Sequence, residues 1–505
     1  MNTTKYILFL LLVMQATACK KYLDRETEDK QNSASIDYTN IGAMYSPVSG
    51  VYRTAAGENP GFVHWMDCGV RVVRGDDVAK GSSPNDQGTL TDIKNFQNDN
   101  PGVVTFWGNN NYWVDHYAVV LYCNNALGEL DKYRANIPAG DATNLALYNQ
   151  YRAEVRVIRA WAHILISRVF GDVPILKNND NLPATTKSTV LEIRQWVISE
   201  MDSCISYLPD ARPNQASPKG AVTKYTALLI KAKAAADAAG NNNGSSYWDI
   251  VLSATNDIIA SHKFTLFPDF YQLWKIPGKL SDESLFELQF TDFGTSTGTN
   301  VLPGAFFTFQ GPSGNQQGSP VSGWGFLSPT QTIVDFFNSR NDSVRLKTSV
   351  LFAGSSENSF VTTPSGDKIY GNSNAQTRFM GKAYLPANQM TPGRTDYGSN
   401  NNVRVLRYAD VLLLNAEASI RKGQSGDVNY NLVHTRAKLS PVTGVTLQQV
   451  LDERRAEFAC EWWGERYNDL IRTGQAATVL APQGFAPGKE YVPVPQAQKD
   501  LNSNL

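Results

Sequence analysis

The sequence predicts a mainly α-helical protein, with helices towards both ends and a loop-rich middle. Apolar residues recur at helical spacing in several stretches, and a glycine follows most of them. Two long segments are instead dense in Gly, Ser, Thr, Asn and Pro. The chain of 505 residues can bury a large core, and its ordinary totals of 38 Gly and 24 Pro exclude a fibrous or disordered protein.

The N-terminus predicts an exported lipoprotein. Residues 1–18 combine Lys5, an apolar run and a small-residue cleavage site, which is a secretory signal too short to span a bilayer. A cysteine at the first mature position is the pattern of bacterial lipoproteins, although Ala16 stands where leucine is usual. We expect Cys19 to carry lipid such as palmitate and residues 19–40 to form a tether. Plain secretion with a free Cys19 is the alternative.

The predicted helices follow in chain order, each with a stop signal. Apolar positions from Val155 to Val169 repeat at helical spacing, and Gly171 ends that run. Two later helices, joined by a segment that begins at Gly240, form a predicted antiparallel hairpin. Such hairpins suggest tetratricopeptide-like repeats, although the diagnostic repeat pattern is absent. The helices are predicted over Tyr148–Phe170, Val222–Ala239, Asp249–Ser261, Tyr408–Lys422 and Gln448–Arg472.

The two segments rich in turn-forming residues are predicted to be loops. They cover Thr291–Thr330 and Leu351–Asn402. Loops of this length within a compact protein are usually functional or disordered. We therefore expect them to form an irregular part of the molecule that carries binding residues.

Charge and cysteine content narrow the choice of partners. The chain has 46 Lys+Arg and 47 Asp+Glu, with no basic run suited to a phosphate backbone, so nucleic acid is not an expected partner. Four further cysteines, Cys68, Cys123, Cys204 and Cys460, are too widely spaced for a zinc site. They could form two disulfides, but a core of this size does not need them, and we expect free buried thiols.

Several blocks of sequence resemble the SusD/RagB family, the outer-membrane nutrient-binding lipoproteins of Bacteroidota. A Cys-Lys-Lys-Tyr-Leu-Asp opening, an R-x-x-R-A helix that leaves through Phe-Gly-Asp-Val-Pro, an R-Y-A-D helix and an E-R-R-x-E helix occur in the family's order. These blocks are Cys19–Asp24, Arg156–Ile175, Arg407–Glu417 and Glu453–Arg472, with further matches at Glu283–Leu288, Gly323–Gly325 and Tyr491–Gln496. The resemblance therefore extends over essentially the whole chain.

The resemblance implies one SusD-like domain over residues 41–505, with an N-terminal region at about 41–240 and a C-terminal region at about 241–505. Four tetratricopeptide-like helix pairs would form its scaffold, with the loop-rich part packed on them. Family members face the cell surface from the outer membrane, cover a SusC-like TonB-dependent transporter and capture glycans for it without cleaving them. No cofactor is expected.

The residues themselves offer little for catalysis. Glu457 and Glu461 lie four apart on one helix and, with neighbouring arginines, predict a structural ion-pair network that could include Arg156 and Arg159. Ser296 sits in a G-x-S-x-G match, but a poor helix start follows it, so we expect no nucleophile there. The five histidines form no H-E-x-x-H motif or close pair, and we expect no metal site.

Aromatic residues make up 11% of the chain, and they point to a binding surface. A sugar ring presents an apolar face and a rim of hydroxyls, so glycan sites combine flat aromatic side chains with polar ones. One region from Trp65 to Trp113 and another from Phe306 to Trp324, with Gln310, Gln316 and Gln317, offer that mixture. We expect Trp113, Trp462 and Trp463 to be core. The candidate ligand-binding residues are Trp65, Arg71, Asp77, Trp107, Asn109, Asn110 and Trp324.

The sequence is compatible with three functions. The first is glycan capture for a transporter, without catalysis. The second is peptide capture by a RagB-like lipoprotein. The third is a helical scaffold whose loops serve only to dock the transporter. Which glycan or peptide would bind is not encoded by any motif, because linkage and stereochemistry are read by loop geometry.

Overall fold

A computed structural model of the protein describes residues 36–57, 59–290, 305–313, 323–389 and 400–505. The predicted signal peptide, Cys19 and the G-x-S-x-G match at Ser296 lie outside these residues. The described chain is mainly helical, with short strands, so the predicted fold class is confirmed.

The helices and strands alternate unevenly along the chain. The α-helices are α1 Ser46–Ala55, α2 Trp65–Val72, α3 Thr89–Lys94, α4 Pro101–Val104, α5 Trp107–Arg134, α6 Ala142–Phe170, α7 Val190–Cys204, α8 Lys224–Ala239, α9 Tyr247–Ala260, α10 Phe270–Leu273, α11 Ala305–Gln310, α12 Gln331–Ser339, α13 Ser343–Ser349, α14 Tyr408–Arg421, α15 Asp427–Arg436, α16 Leu447–Phe458, α17 Glu465–Arg472, α18 Ala476–Val479 and α19 Gln496–Leu501. The strands are β1 Val78–Lys80, β2 Ser284–Leu288, β3 Leu327–Pro329, β4 Val350–Phe352, β5 Phe360–Thr362, β6 Lys368–Tyr370, β7 Arg378–Met380 and β8 Val403–Arg407.

The long helices form a stack in which each packs on the next. Helices α5 to α8 each contact the next helix in the chain, and α9 packs on α14, which packs on α15 and α16. Local signals set the ends of these helices: Thr189 and Glu192 form a reciprocal capping box at the start of α7, and Gly171 ends α6 at a φ of 75°. This stack is the helical-repeat scaffold that the sequence predicts.

In the described residues, the strands form four two-stranded antiparallel sheets. Strand β1 pairs with β3, with Val78 opposite Pro329, which joins the N-terminal region to the predicted binding loop. Strand β2 pairs with β8, with Ser284 opposite Arg407. The other two sheets, β4 with β7 and β5 with β6, lie within the segment predicted to be a loop at Leu351–Asn402, so that part of the segment is more regular than expected.

The last predicted helix is wrong in its extent. The segment Gln448–Arg472 contains two helices, α16 and α17, because the chain breaks between them. Cys460 and Gly464 adopt positive φ angles of 58° and 73° at that break. The indole nitrogens of Trp462 and Trp463 both donate to the Arg404 carbonyl, at 3.1 and 2.6 Å. These tertiary hydrogen bonds hold the chain out of helical geometry.

The core holds the cysteines as well as most aromatic side chains. Cys68, Cys123, Cys204 and Cys460 are buried free thiols, as expected. Trp113, Trp462 and Trp463 are buried too, so their assignment to the core is confirmed. Within the described part of the chain, no helix has the length and apolar character needed to cross a membrane.

Candidate functional site

The first element of the candidate site is Trp65, the first residue of α2. Its position is set by His64, the N-cap of α2, whose Nδ1 accepts a hydrogen bond of 3.3 Å from the Met66 amide. The half-buried Trp65 ring packs against Phe309 and Phe326, with centroid distances of 5.0 and 5.6 Å. These two phenylalanines, which stack on each other, form the floor of the site.

The second element is Trp107, the first residue of α5. Its ring centroid lies 5.4 Å from that of Trp65, and its side chain remains 40% exposed. The indole Nε1 donates to Oε1 of Gln87 at 3.2 Å, which orients the ring. The residues Gly108 to Asn111 belong to the first turn of α5.

The third element is Trp324, which comes from the second predicted region. Its ring meets Trp65 edge to face at a centroid distance of 5.6 Å. The pairing of β3 with β1 brings this segment beside α2, because β3 begins three residues after Trp324. The two regions that the sequence marks separately therefore meet at one surface. We call Trp65, Trp107 and Trp324 the aromatic platform.

Three predicted polar residues lie inside the protein rather than on the platform. Arg71 donates from Nη2 to the Phe62 carbonyl at 2.9 Å and is buried. Asp77 is buried and accepts from Nη2 of Arg455 at 2.6 Å. Asn109 donates to the Val103 carbonyl at 2.9 Å and is fully buried. Because all three residues are buried, we leave them out of the proposed contact surface.

Other predicted residues of these regions are placed as follows. Asn110 is half-buried, and its Oδ1 accepts from Nε2 of Gln498 at 2.9 Å. Phe306, Phe307 and Gln310 are buried. Gln316 and Gln317 lie outside the described residues.

Sequence reasoning missed Gln87, Phe309 and Phe326. A glutamine twenty positions before a tryptophan carries no pattern, because the contact depends on how the loop before α3 folds back. Phe309 precedes Trp324 in the sequence and Phe326 follows it. Nothing in this spacing shows that the two phenylalanine rings stack on each other. Phe309 stood inside the second marked region, but without a stated role.

The two C-terminal glutamates belong to a buried ion-pair network, as predicted, but they do not share a helix: Glu457 lies on α16 and Glu461 lies in the break before α17. Arg407 contacts both of them, with Nη1 2.8 Å from Glu457 Oε1 and Nη2 2.7 Å from Glu461 Oε1. Burial opposes ionisation, but the surrounding cations, Arg436 first, hold the pKa of Glu457 well below its usual range. Glu457 is therefore ionised at neutral pH and cannot itself act as the general acid of a glycosidase.

The suggested extension of that network to Arg156 and Arg159 is wrong. Both arginines pair with Glu200 on α7, at 2.9 and 3.2 Å. Both arginines lie on α6, which packs against α7, so Glu200 on α7 is closer to them than the C-terminal glutamates are. They join two scaffold helices and do not reach the C-terminal glutamates.

An apolar cavity of about 380 Å³ lies further along α5. Val114, seven residues after Trp107 and therefore on the same helix face, is 44% exposed at its edge. Trp113, Pro174 and Leu501 also line it. The platform and this cavity thus share one face of α5.

Comparisons with known proteins agree with this architecture. The protein-family model described as "SusD family" matches residues 282–504 of this chain. A second family model, described as "Starch-binding associating with outer membrane", matches residues 21–233. A SusD-like protein from Bacteroides ovatus is 22% identical over 488 residues, which is 91% of this chain and 81% of that protein.

Solved structures share the fold at similarly low identity. A SusD homologue from Bacteroides thetaiotaomicron superimposes with a TM-score of 0.76 at 20% identity, over 95% of this chain and 99% of that one. Surface glycan-binding protein A from the same organism, in complex with laminarihexaose, gives a TM-score of 0.72 at 24% identity, over 92% and 98% of the chains. With two family models that between them match most of the sequence, the chain belongs to the SusD/RagB family.

Proposed function

We propose that this protein is an outer-membrane surface lipoprotein that binds oligosaccharide or polysaccharide on the aromatic platform and delivers it to a SusC-like TonB-dependent transporter. The observation that carries the proposal is the convergence of Trp65, Trp107 and Trp324, from three chain segments, on one partly exposed surface. Structurally similar family members that bind glycans support the ligand class.

The platform suits a sugar chain for physical reasons. Aromatic faces pack well against the axial C–H groups of a pyranose ring, and that contact needs no charge on the ligand. Gln87, beside Trp107, places an amide where ring hydroxyls would lie. The rings are tilted relative to each other by 55° and 84°, so the surface is bent rather than flat. Such a surface favours a curved or helical glycan over a straight one.

The membrane part of the proposal depends on Cys19. A lipid on Cys19 and a tether over residues 19–40 would leave the domain at 41–505 free to reach a transporter in the same membrane. Replacing Cys19 with Ser should move the protein from the outer-membrane fraction to the soluble fraction and abolish labelling by palmitate. Unchanged membrane retention of this variant would contradict lipid anchoring.

Glycan binding is tested with the exposed tryptophan. Isothermal titration calorimetry against laminarihexaose and a panel of soluble polysaccharides should identify a binder, and Trp107→Ala should then weaken binding about tenfold, because it removes one stacking face. Trp107→Phe keeps an aromatic face and should lose less. Tyr122→Ala is the matched control, since Tyr122 is a 49% exposed aromatic residue on the same helix, away from the platform.

Two results would contradict the proposal. If no glycan of a broad panel bound while peptides did, the peptide-capturing alternative would replace it. If a glycan bound equally well to Trp107→Ala and to Trp324→Ala, the platform would not be its site. Purified protein should release no reducing sugar from the glycan that it binds, and such release would indicate an enzyme.

One observation favours the peptide alternative. The cavity on α5 is almost wholly apolar, which suits aliphatic or aromatic side chains better than sugar hydroxyls. Val114→Asp would place a charge at its edge and should abolish binding of an apolar peptide while leaving glycan binding intact. The scaffold alternative predicts unchanged growth on every substrate after Trp107 and Trp324 are both replaced with Ala.

A further inference from the structure

A buried group of His64, Asp67 and Asp115 lies beneath the platform. His64 and Asp67 belong to the start of α2, and Asp115 belongs to α5. One ring nitrogen and one oxygen from each carboxyl group all lie within 4.8 Å of one another. These residues stand next to the platform in sequence, since Trp65 follows His64 and Trp107 is two helical turns before Asp115.

The carboxylates of this group lack the partners that buried charges need. Asp67 is fully buried, and neither of its oxygens accepts a hydrogen bond from the described residues. Oδ2 of the buried Asp115 likewise accepts none from them. His64 Nδ1 and His116 Nδ1 approach Asp67 only to 3.7 and 3.4 Å. An unpartnered buried carboxylate is costly, so something further must neutralise it.

The neighbouring charges do not complete the balance. Arg71 lies one turn after Asp67 on the same helix, and its Nη2 donates to the Phe62 carbonyl. Two carboxylates therefore face one arginine, and the second needs a bound cation or a proton.

The geometry favours a cation with a small, mixed ligand set. Three ligand atoms at most 4.8 Å apart can surround a central ion at about 2.8 Å, and small side-chain rotations would bring them to the roughly 2.0–2.2 Å of a zinc site. Calcium needs six to eight oxygens and magnesium keeps several waters, and a buried set of one imidazole and two carboxylates matches neither preference.

We propose that His64, Asp67 and Asp115 form a structural site for a divalent transition metal of the zinc type, which joins α2 to α5 under the aromatic platform. Ligands from two helices would restrain Trp65 and Trp107 relative to each other. The site is separate from glycan contact, so its test does not depend on identifying the glycan.

The test measures the metal directly. Elemental analysis of the full chain, purified without chelator, should find about one zinc per protein, and chelation with dipicolinate should remove it and lower the melting temperature. Titration of the stripped protein with zinc chloride should restore the melting temperature, with manganese less effective and calcium without effect. Asp67→Asn and Asp115→Asn should each lose the zinc, while Asp99→Asn, at an exposed position, should keep it.

Two outcomes would overturn the proposal. If the stripped and zinc-loaded proteins melted at the same temperature, a proton rather than a metal would neutralise the pair. In that case Asp115→Asn should melt no lower than the wild type at pH 8, because it removes a buried charge. If Asp67→Asn and Asp115→Asn retained stoichiometric zinc, the metal would lie at another site.

Discussion

Glu154 on α6 and Glu453 on α16 are both buried carboxylates, but their surroundings drive their protonation in opposite directions. Glu154 accepts only from neutral donors, Gln150 at 2.9 Å and Tyr52 at 2.8 Å, and burial raises its pKa to about 7. Burial also raises the pKa of Glu453. The charge of Arg345 and a hydrogen bond with His434 outweigh burial, however, and lower that pKa to about 2. A formal charge nearby, rather than burial, decides the difference.

Replacing Glu154 with Gln should change how stability depends on pH. The folded-state pKa of about 7 exceeds the reference value of 4.5, so the folded protein holds this proton more tightly than the unfolded chain does. Wild-type stability from this group is therefore present below about pH 4.5 and is lost as the pH rises to 7. Glu154→Gln should consequently gain stability relative to the wild type over that window.

Urea unfolding at pH 5 and pH 8 checks this expectation. The free energy of unfolding of Glu154→Gln relative to wild type should rise by up to about 3 kcal/mol, because a tenfold change in a protonation equilibrium is worth about 1.4 kcal/mol. Glu357→Gln removes an exposed carboxylate and serves as the control, with no change in the same interval. A parallel pH dependence for wild type and Glu154→Gln would show that Glu154 is ionised in the folded state.

Among the predicted site residues, the tryptophans and the polar residues differ in where the fold places them. Aromatic side chains beside polar ones indicate a recognition surface, and the three tryptophans predicted on that ground lie together. Arg71 and Asp77 were chosen on polarity alone, and polarity does not distinguish a ligand contact from a buried ion pair. Only the fold shows that Asp77 faces Arg455, which lies 378 positions away in sequence.

At the scale of elements, the break between α16 and α17 is the clearest departure from the sequence. The segment has helix-forming residues throughout, and nothing local requires a stop before Gly464. The break depends instead on the two tryptophans that bind the Arg404 carbonyl, which belongs to β8. Contacts between distant elements can override local propensity in this way, and no pattern in one segment reports them.

Gly464 at this break should tolerate no side chain. Its φ of 73° is left-handed, and a Cβ there would come within 2.9 Å of the Arg71 carbonyl oxygen. We expect Gly464→Ala to lower the free energy of unfolding by about 2 kcal/mol, from backbone strain together with the clash. Thermal unfolding followed by circular dichroism would measure the loss.

Gly128→Ala provides the matched control. Gly128 lies inside α5, and a Cβ there would meet nothing within 4 Å. The same substitution should therefore raise stability by about 1 kcal/mol, which is the helix propensity of alanine over glycine. An unchanged stability for Gly464→Ala would mean that the break can rearrange freely.

At the scale of the whole molecule, buried ion pairs tie distant parts of the chain together. Lys233 of α8 contacts Asp410 of α14 at 2.6 Å and Glu465 of α17 at 3.0 Å. Arg407 joins Glu283, before β2, to Glu457 of α16, at 2.7 and 2.8 Å. Each pair is almost completely buried, so its members depend on each other for neutralisation.

Glu457→Gln should strongly destabilise the fold. The change leaves Arg407 and Arg436 with less negative charge in the interior, and we expect a loss of about 3–5 kcal/mol in the free energy of unfolding at pH 7. The folded-state pKa of Glu457 lies below its reference value of 4.5, so its contribution is complete above that pH and is lost on acidification.

The deficit of this variant should therefore shrink as the pH falls below about 4.5. Asp131→Asn breaks the exposed pair with Arg152 and is the control, with an expected loss below about 1 kcal/mol. Guanidinium unfolding at pH 7 and pH 4 would measure both effects. Equal losses in the two variants would contradict a buried network that contributes to stability.

Much of the architecture could be predicted from the sequence. Helix ends at Ala239 and Phe170 match because glycine stops are local signals, and the ordered family motifs indicate the arrangement of the scaffold. The pairing of β1 with β3 could not be predicted, because three-residue strands carry no periodic signal. This strand pairing brings the two aromatic regions together at the platform. The sequence therefore indicates the site only as two separate regions.

The distribution of buried charge also bears on how the chain folds. Lys233 lies within the N-terminal stretch matched by one family model, and its partners Asp410 and Glu465 lie within the C-terminal stretch matched by the other. Without the C-terminal stretch, the buried Lys233 would lose both of these partners. The two stretches should therefore fold cooperatively, in a single transition, and a chain cut between them should yield two fragments that fold only when mixed.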